Sequence, residues 1–296
     1  MRLKRLLADL AKLLLCGVAF FVGIIVGGMI ATLLRLPTPA MPPGVDASTA
    51  AMYLAAEAPL LALALAVIAR GIAGGFLARA SVLTLLTWIA YTVNTQLEAA
   101  IFTTMAGSIG FSLVSFLVPS IFCGVTVAFL FPPDEPGARW IDARKTFFSR
   151  RTAAEWTGRL AMAAVAFMPI YYFFGLLVVP FTGAYYQQNM YGLTMPGLDQ
   201  IIVVLFVRSL LFLIACLPVI VMWQKSRGSL FLRLGFALFI LVGFLYMLAA
   251  YWMPISVRLP HSLEILADEF VYAGVLVALL AKGNSPNDVK LTRTAG

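Results

Sequence analysis

Histidine is almost missing from this sequence: His261 is the only one in 296 residues. A single imidazole excludes a bis-histidine haem and argues against a zinc or two-metal site, which draws on more than one. Cysteine is scarce too. Cys16, Cys123 and Cys216 lie far apart inside apolar runs. They have no metal-ligand spacing and read as reduced packing residues. Charged residues make up 11% of the chain, against about a quarter in a soluble domain. There is no G-x-S-x-G, no P-loop, no cysteine pair, no H-E-x-x-H and no dinucleotide fingerprint. No cofactor and no resident metal is expected, and catalysis is the less favoured role.

What the chain has instead is apolar length. It is 62% hydrophobic with a mean hydropathy of +0.96, which places it in the membrane class. Apolar runs predict spans over residues 13–34, 52–70, 81–102, 108–131, 155–179, 199–223 and 230–252, with an eighth ending near Ala281. Gly23 and Gly27 on the first form a G-x-x-x-G pair suited to close helix packing. Pro119, Pro169 and Pro218 are expected to kink their spans. A polar loop is expected over 181–197.

The expected fold is therefore an all-α, polytopic integral membrane bundle of about eight transmembrane helices, four plus four. Residues 1–131 would form the first half, 132–154 a basic linker, 155–283 the second half and 284–296 a polar tail. With eight spans both termini share a side, and fifteen of the 21 basic residues fall there. The positive-inside rule makes that side the cytoplasm. The asymmetry also accounts for the net charge of +8 without nucleic acid. Alanine richness and short loops suggest a bacterial plasma membrane, so the lipid bilayer is the expected partner. An internal duplication is weighed and not favoured. Arg70 and Arg208 match in their halves, but Glu98 ends a third span while Glu264 starts a fourth.

The eighth span is the unusual one. The apolar run after Glu269 is only twelve residues, about 18 Å of helix, well short of a hydrocarbon core of about 30 Å. The helix must start near His261 to cross, which carries three acids into the membrane. At about 100° per residue, His261, Glu264, Asp268 and Tyr272 share one sector, and Glu269 points away from it. Such a stripe faces other helices or water, because a charge facing lipid is costly.

Two polar residues on other spans belong with it. Counted from the inner ends, Arg208 lies about 22 Å deep and Asp268 about 20 Å deep. An arginine at that depth needs a carboxylate, a carbonyl or water. Asn94 and Glu98, at i and i+4 on the third span, extend the same pocket. Glu98 sits at a helix C-terminus, where negative charge is disfavoured, so it needs a partner. Glu57 and Asp199 read as acids near outer helix N-termini. The candidate ligand or proton site is therefore Arg208, Glu264, Asp268, Glu98, Asn94, His261 and Tyr272. Three functions fit: a small-solute or proton-linked permease with an outward-facing pocket, a structural subunit whose polar residues lock helices, and an embedded enzyme using carboxylates as acid and base. The first is favoured.

Overall fold

The computed structural model describes residues 2–39, 45–104, 106–134 and 137–281. Lys282 and the polar tail lie outside it. Among the described residues the chain is helical, with two isolated β-bridges in place of any sheet. The helices are α1 (Arg2–Leu33), α2 (Ala47–Ala69), α3 (Phe76–Phe102), α4 (Ile109–Leu130), α5 (Trp140–Phe148), α6 (Ala153–Val165), α7 (Phe167–Gln187), α8 (Leu198–Met222), α9 (Arg227–Ala249) and α10 (Ile255–Leu280). Counting α6 and α7 as one run, seven of these segments are long and apolar enough to cross a membrane. The eighth, α10, has 26 residues, about 39 Å, and packs among the others despite its acids. The protein is a multi-pass membrane helix bundle.

One end of the bundle gathers the start of α1 and the end of α10. Asp9 near the start of α1 pairs with Arg70 after α2 at 2.7 Å. Lys225, in the turn between α8 and α9, pairs with Asp134 after α4. The Lys225 ammonium holds the Asp134 carboxyl below the usual carboxylate range. The last carbonyls of α10 receive bonds from Arg151, Arg159 and Arg227, which suits cations to a helix C-terminus. At the other end, Thr103 bridges Leu193, Tyr251 donates to the Asp46 carbonyl, and the Tyr185 and Ser256 hydroxyls are 2.9 Å apart.

The spans differ from expectation mostly at their edges. Helix α1 starts at Arg2, so the basic N-terminal stretch is part of the helix. Helix α7 runs through Pro180 to Gln187, so Tyr185 and Tyr186 lie on its last turn and not in a polar loop. Only Tyr191 lies in a tight turn, Met190–Gly192. Pro169 stands in the first turn of α7, where it is tolerated, and the helix breaks just before it at Ala166. Residues 132–154 contain the short helix α5. Helix α10 starts at Ile255, before Pro260, which puts Asp268 midway along the helix and not near its outer edge.

Two features were not legible in the apolar pattern. Helices α3 and α9 each contain a π-helical turn, Trp88–Val93 and Ile240–Phe244, and these turns pack against each other. A π turn leaves a carbonyl without its usual partner. Here the Tyr246 hydroxyl donates to the Tyr91 carbonyl at 2.8 Å, and the Thr95 hydroxyl donates to the Val242 carbonyl at 3.1 Å. Below them the α2–α3 and α8–α9 turns pair in antiparallel fashion. The Ala73 N–H donates to the Met222 carbonyl and the Gln224 N–H to the Gly71 carbonyl, both at 3.0 Å. A Cβ on Gly71 would lie 2.2 Å from the Trp223 ring, so this crossing requires glycine.

Candidate functional site

Arg208 sits mid-way along α8 with its side chain 2% exposed. Its Nη2 meets Glu98 Oε2 at 2.8 Å, and the Tyr171 hydroxyl donates to Glu98 Oε1 at 2.9 Å. The arginine's partner is thus Glu98 of α3, not Asp268 of α10. A carboxylate near the C-terminus of α3 opposes the helix dipole, and the guanidinium supplies the positive charge that offsets it. Three aromatic rings surround the same guanidinium. Phe167 and Tyr171 have centroids 5.4 Å from it and Phe212 is 6.0 Å away, within cation–π range.

A second branch runs along α10. His261 Nδ1 is 2.7 Å from Glu264 Oε2, and its Nε2 is 3.2 Å from the Tyr186 hydroxyl. Helix α7 approaches closely here because Gly175 has no side chain. A Cβ there would lie 3.3 Å from Glu264 Oε1. Asp268, Glu269 and Tyr272 follow on the next turns, all buried. Phe167 and Phe212 pack on Tyr272 with centroids 5.4 and 5.6 Å away. The rings that flank Arg208 therefore also flank the phenol of α10.

Glu269 belongs to this group, although its helical angle points away from the stripe. It is 1% exposed, and its carboxyl lies within electrostatic range of Arg208 and Glu98. Asp268 lies within electrostatic range of Glu264, Glu269, Glu98 and Arg208. The reason is that α10 is flanked on more than one side, by α7 and by α9. Its exposed face runs through Ile255, Leu259, Leu263, Leu266 and Val271, away from the acids. Neighbouring acids 100° apart can then both face protein. The sequence signal was present: two adjacent carboxyls on one spanning helix cannot both be spared lipid unless the helix has neighbours on two sides.

Much hydrogen-bonding capacity in this region has no partner within the protein. The unpartnered buried atoms include Arg208 Nε and Nη1, Asp268 Oδ1, Glu269 Oε2, the Tyr272 hydroxyl and both amide atoms of Asn94. Asn94 lies one turn before Glu98 on α3 and is fully buried. Burial also changes along the group. Glu98 is 30% exposed and His261 is partly buried, while Glu269 and Tyr272 are closed off. Among the described residues, no three His, Cys, Asp or Glu side chains converge as ligands of one metal ion.

Fold and site together define a multi-pass membrane protein with a carboxyl-rich polar centre inside its bundle. Comparisons with protein families, with characterised proteins and with solved structures find no match to this chain.

Proposed function

We propose that this protein is a proton-linked transporter of a small solute, with its site at Arg208, Glu98, Asp268 and Glu269 and its proton entry at His261 and Glu264. The observation that carries this reading is a charge imbalance. Four carboxyls, Glu98, Glu264, Asp268 and Glu269, stand around one guanidinium and one imidazole. A net buried charge of that size is costly in a low-dielectric bundle. Protons or a cationic group must make up the difference. A network that served only to lock helices would spend its hydrogen bonds on itself. Here donors on Arg208 and acceptors on Asp268 and Glu269 are left over for a ligand, and they lie near mid-helix depth.

The same reading places both termini in the cytoplasm of a bacterial plasma membrane, as the basic end of the bundle supports. Glu98 and His261 then lie toward the outer end, which suits entry from outside.

The test uses proteoliposomes holding a pH-sensitive dye, challenged with panels of amino acids, amines and short carboxylates. In the wild-type protein, one solute class is expected to drive a proton movement. Asp268→Asn combined with Glu269→Gln is expected to abolish it while leaving the protein monodisperse. Coupled proton movement at the wild-type rate in that double variant would defeat the proposal.

A further inference from the structure

The pairs of residues that join α2–α3 to α8–α9 share one spacing. Helices α2 and α8 start at Ala47 and Leu198, and α3 and α9 start at Phe76 and Arg227. Both shifts are 151 residues. The antiparallel bridge joins Ile72 to Trp223, again 151 apart. The two bonds to the π turns repeat it once more. Tyr91 and Val242 each give the carbonyl, and Thr95 and Tyr246 each give the hydroxyl. In each bond a residue of one segment meets its counterpart's neighbour in the other. That reciprocity is what a two-fold relation between like units produces.

Packing follows the same rule. Helix α2 lies on α9 as α8 lies on α3, α4 lies on α1 and α3, and α10 lies on α7 and α9. Arg79, in the first turn of α3, donates to the Ala128 carbonyl near the end of α4. The other half has an arginine in a similar place but not at the matching position. The shift pairs Arg79 with Leu230, and it is Arg227, three residues earlier at the start of α9, that donates to the Ala278 carbonyl near the end of α10.

Under this shift the counterpart of Arg208 is Glu57. Each is the eleventh residue of its helix. Their contacts differ, since both reach the same helix α3, Glu57 meeting Tyr91 within its own half and Arg208 meeting Glu98 in the other half. We propose that the chain is an internal duplication and that Glu57, standing where Arg208 stands in the other half, is a second proton-binding site. Its surroundings select a proton. Glu57 is 2% exposed. The Tyr91 hydroxyl donates to Oε2 at 3.2 Å, and Oε1 has no partner within the protein. The titratable groups that face it are Tyr91 from α3 and Tyr246 from α9, with rings stacked 4.9 Å apart. Phe20 from α1 and Phe116 from α4 cover Tyr91 on its other edges. A lone carboxyl among phenols and hydrocarbon lacks the several oxygens that a metal cation requires. In one half the shared position holds a base that pairs with an acid, and in the other it holds an acid served by a proton.

The test is a pH-difference infrared measurement on the full-length protein in lipid nanodiscs, with isotope-labelled glutamate to mark glutamic-acid bands. Wild type is expected to show a pH-dependent carboxyl C=O band that is lost in Glu57→Gln, retained in Asp268→Asn, and shifted in frequency in Tyr91→Phe. Glutamic-acid bands in Glu57→Gln identical to wild type overturn the proposal. Should Glu57→Gln not fold, Tyr91→Phe decides, because unshifted bands there also overturn it. The Asp268 band answers separately to the transport reading, so either idea can fail alone.

Discussion

Arg208→Leu is expected to destabilise the bundle by about 3 kcal/mol, the lower end of what breaking a buried ion pair costs. The substitution adds an apolar residue to a span, which lipid alone would favour. The loss comes from what remains. Glu98 would keep its bond from Tyr171 but lose the guanidinium 2.8 Å away, and it would stand uncompensated near the C-terminus of α3. Its 30% exposure lets water relieve part of that cost, which is why the lower end applies. Phe167, Tyr171 and Phe212 would also lose the cation they surround. Adding Glu98→Gln removes the stranded charge and should restore most of the stability. Arg208→Lys should rescue poorly, because an ammonium cannot reach Glu98 and present a flat face to three rings at once. Thermal unfolding in detergent measures all four proteins. A double variant no more stable than Arg208→Leu would show that the two side chains are not energetically coupled.

Much of this architecture was legible in the sequence for a simple reason. Lipid demands about twenty apolar residues per crossing, so the number of helices and their approximate centres follow from composition. Boundaries were less legible because helices continue past the hydrocarbon edge. The basic residues Lys4 and Arg5 sit in helical turns of α1, and Tyr185 and Tyr186 lie on α7, since polar side chains at a membrane surface cost a helix nothing. Proline misled in the same way. Pro180 and Pro260 both stand within helices.

The candidate residues were picked out by their cost in lipid, and that logic does not say who pairs with whom. Depth alone matched Arg208 to Asp268, whereas packing gives it Glu98. Glu57 was set aside as an acid near a helix start, because the span was drawn from Met52 and not from Ala47. That five-residue difference moves Glu57 from the second turn into the interior. It also obscures the proposed repeat, since Arg70 and Arg208 are 138 residues apart, whereas the helix starts and the Ile72–Trp223 bridge share a spacing of 151 that aligns Glu57 with Arg208. Nothing in hydropathy announces the π turns, whose signature is a hydrogen-bond pattern and not a side-chain period.

The second large effect is expected at Gly27. Helix α1 rests on α4 through its glycines. A Cβ on Gly27 would lie 2.0 Å from the Ser115 carbonyl oxygen, and one on Gly23 would lie 2.4 Å from Pro119 Cα. Both obstacles are backbone, so no rotamer change can make room. Gly27→Leu should therefore push α1 away from α4 along its length. Phe20 and Ala31, buried on the same helix, would become more exposed. Overpacking typically costs about 1–3 kcal/mol where side chains can yield, and the upper end is expected here because they cannot. Gly28 supplies the control, since nothing lies within 4 Å of a Cβ placed there. Gly28→Leu adds the same side chain one residue away and should leave the melting temperature unchanged. Equal effects at the two glycines would mean that helix flexibility, and not contact with Ser115, is what residue 27 supplies. A large drop at Gly27 alone would locate the requirement at the α1–α4 seam. That seam holds Tyr91 between Phe20 and Phe116, so its opening should also let water reach Glu57.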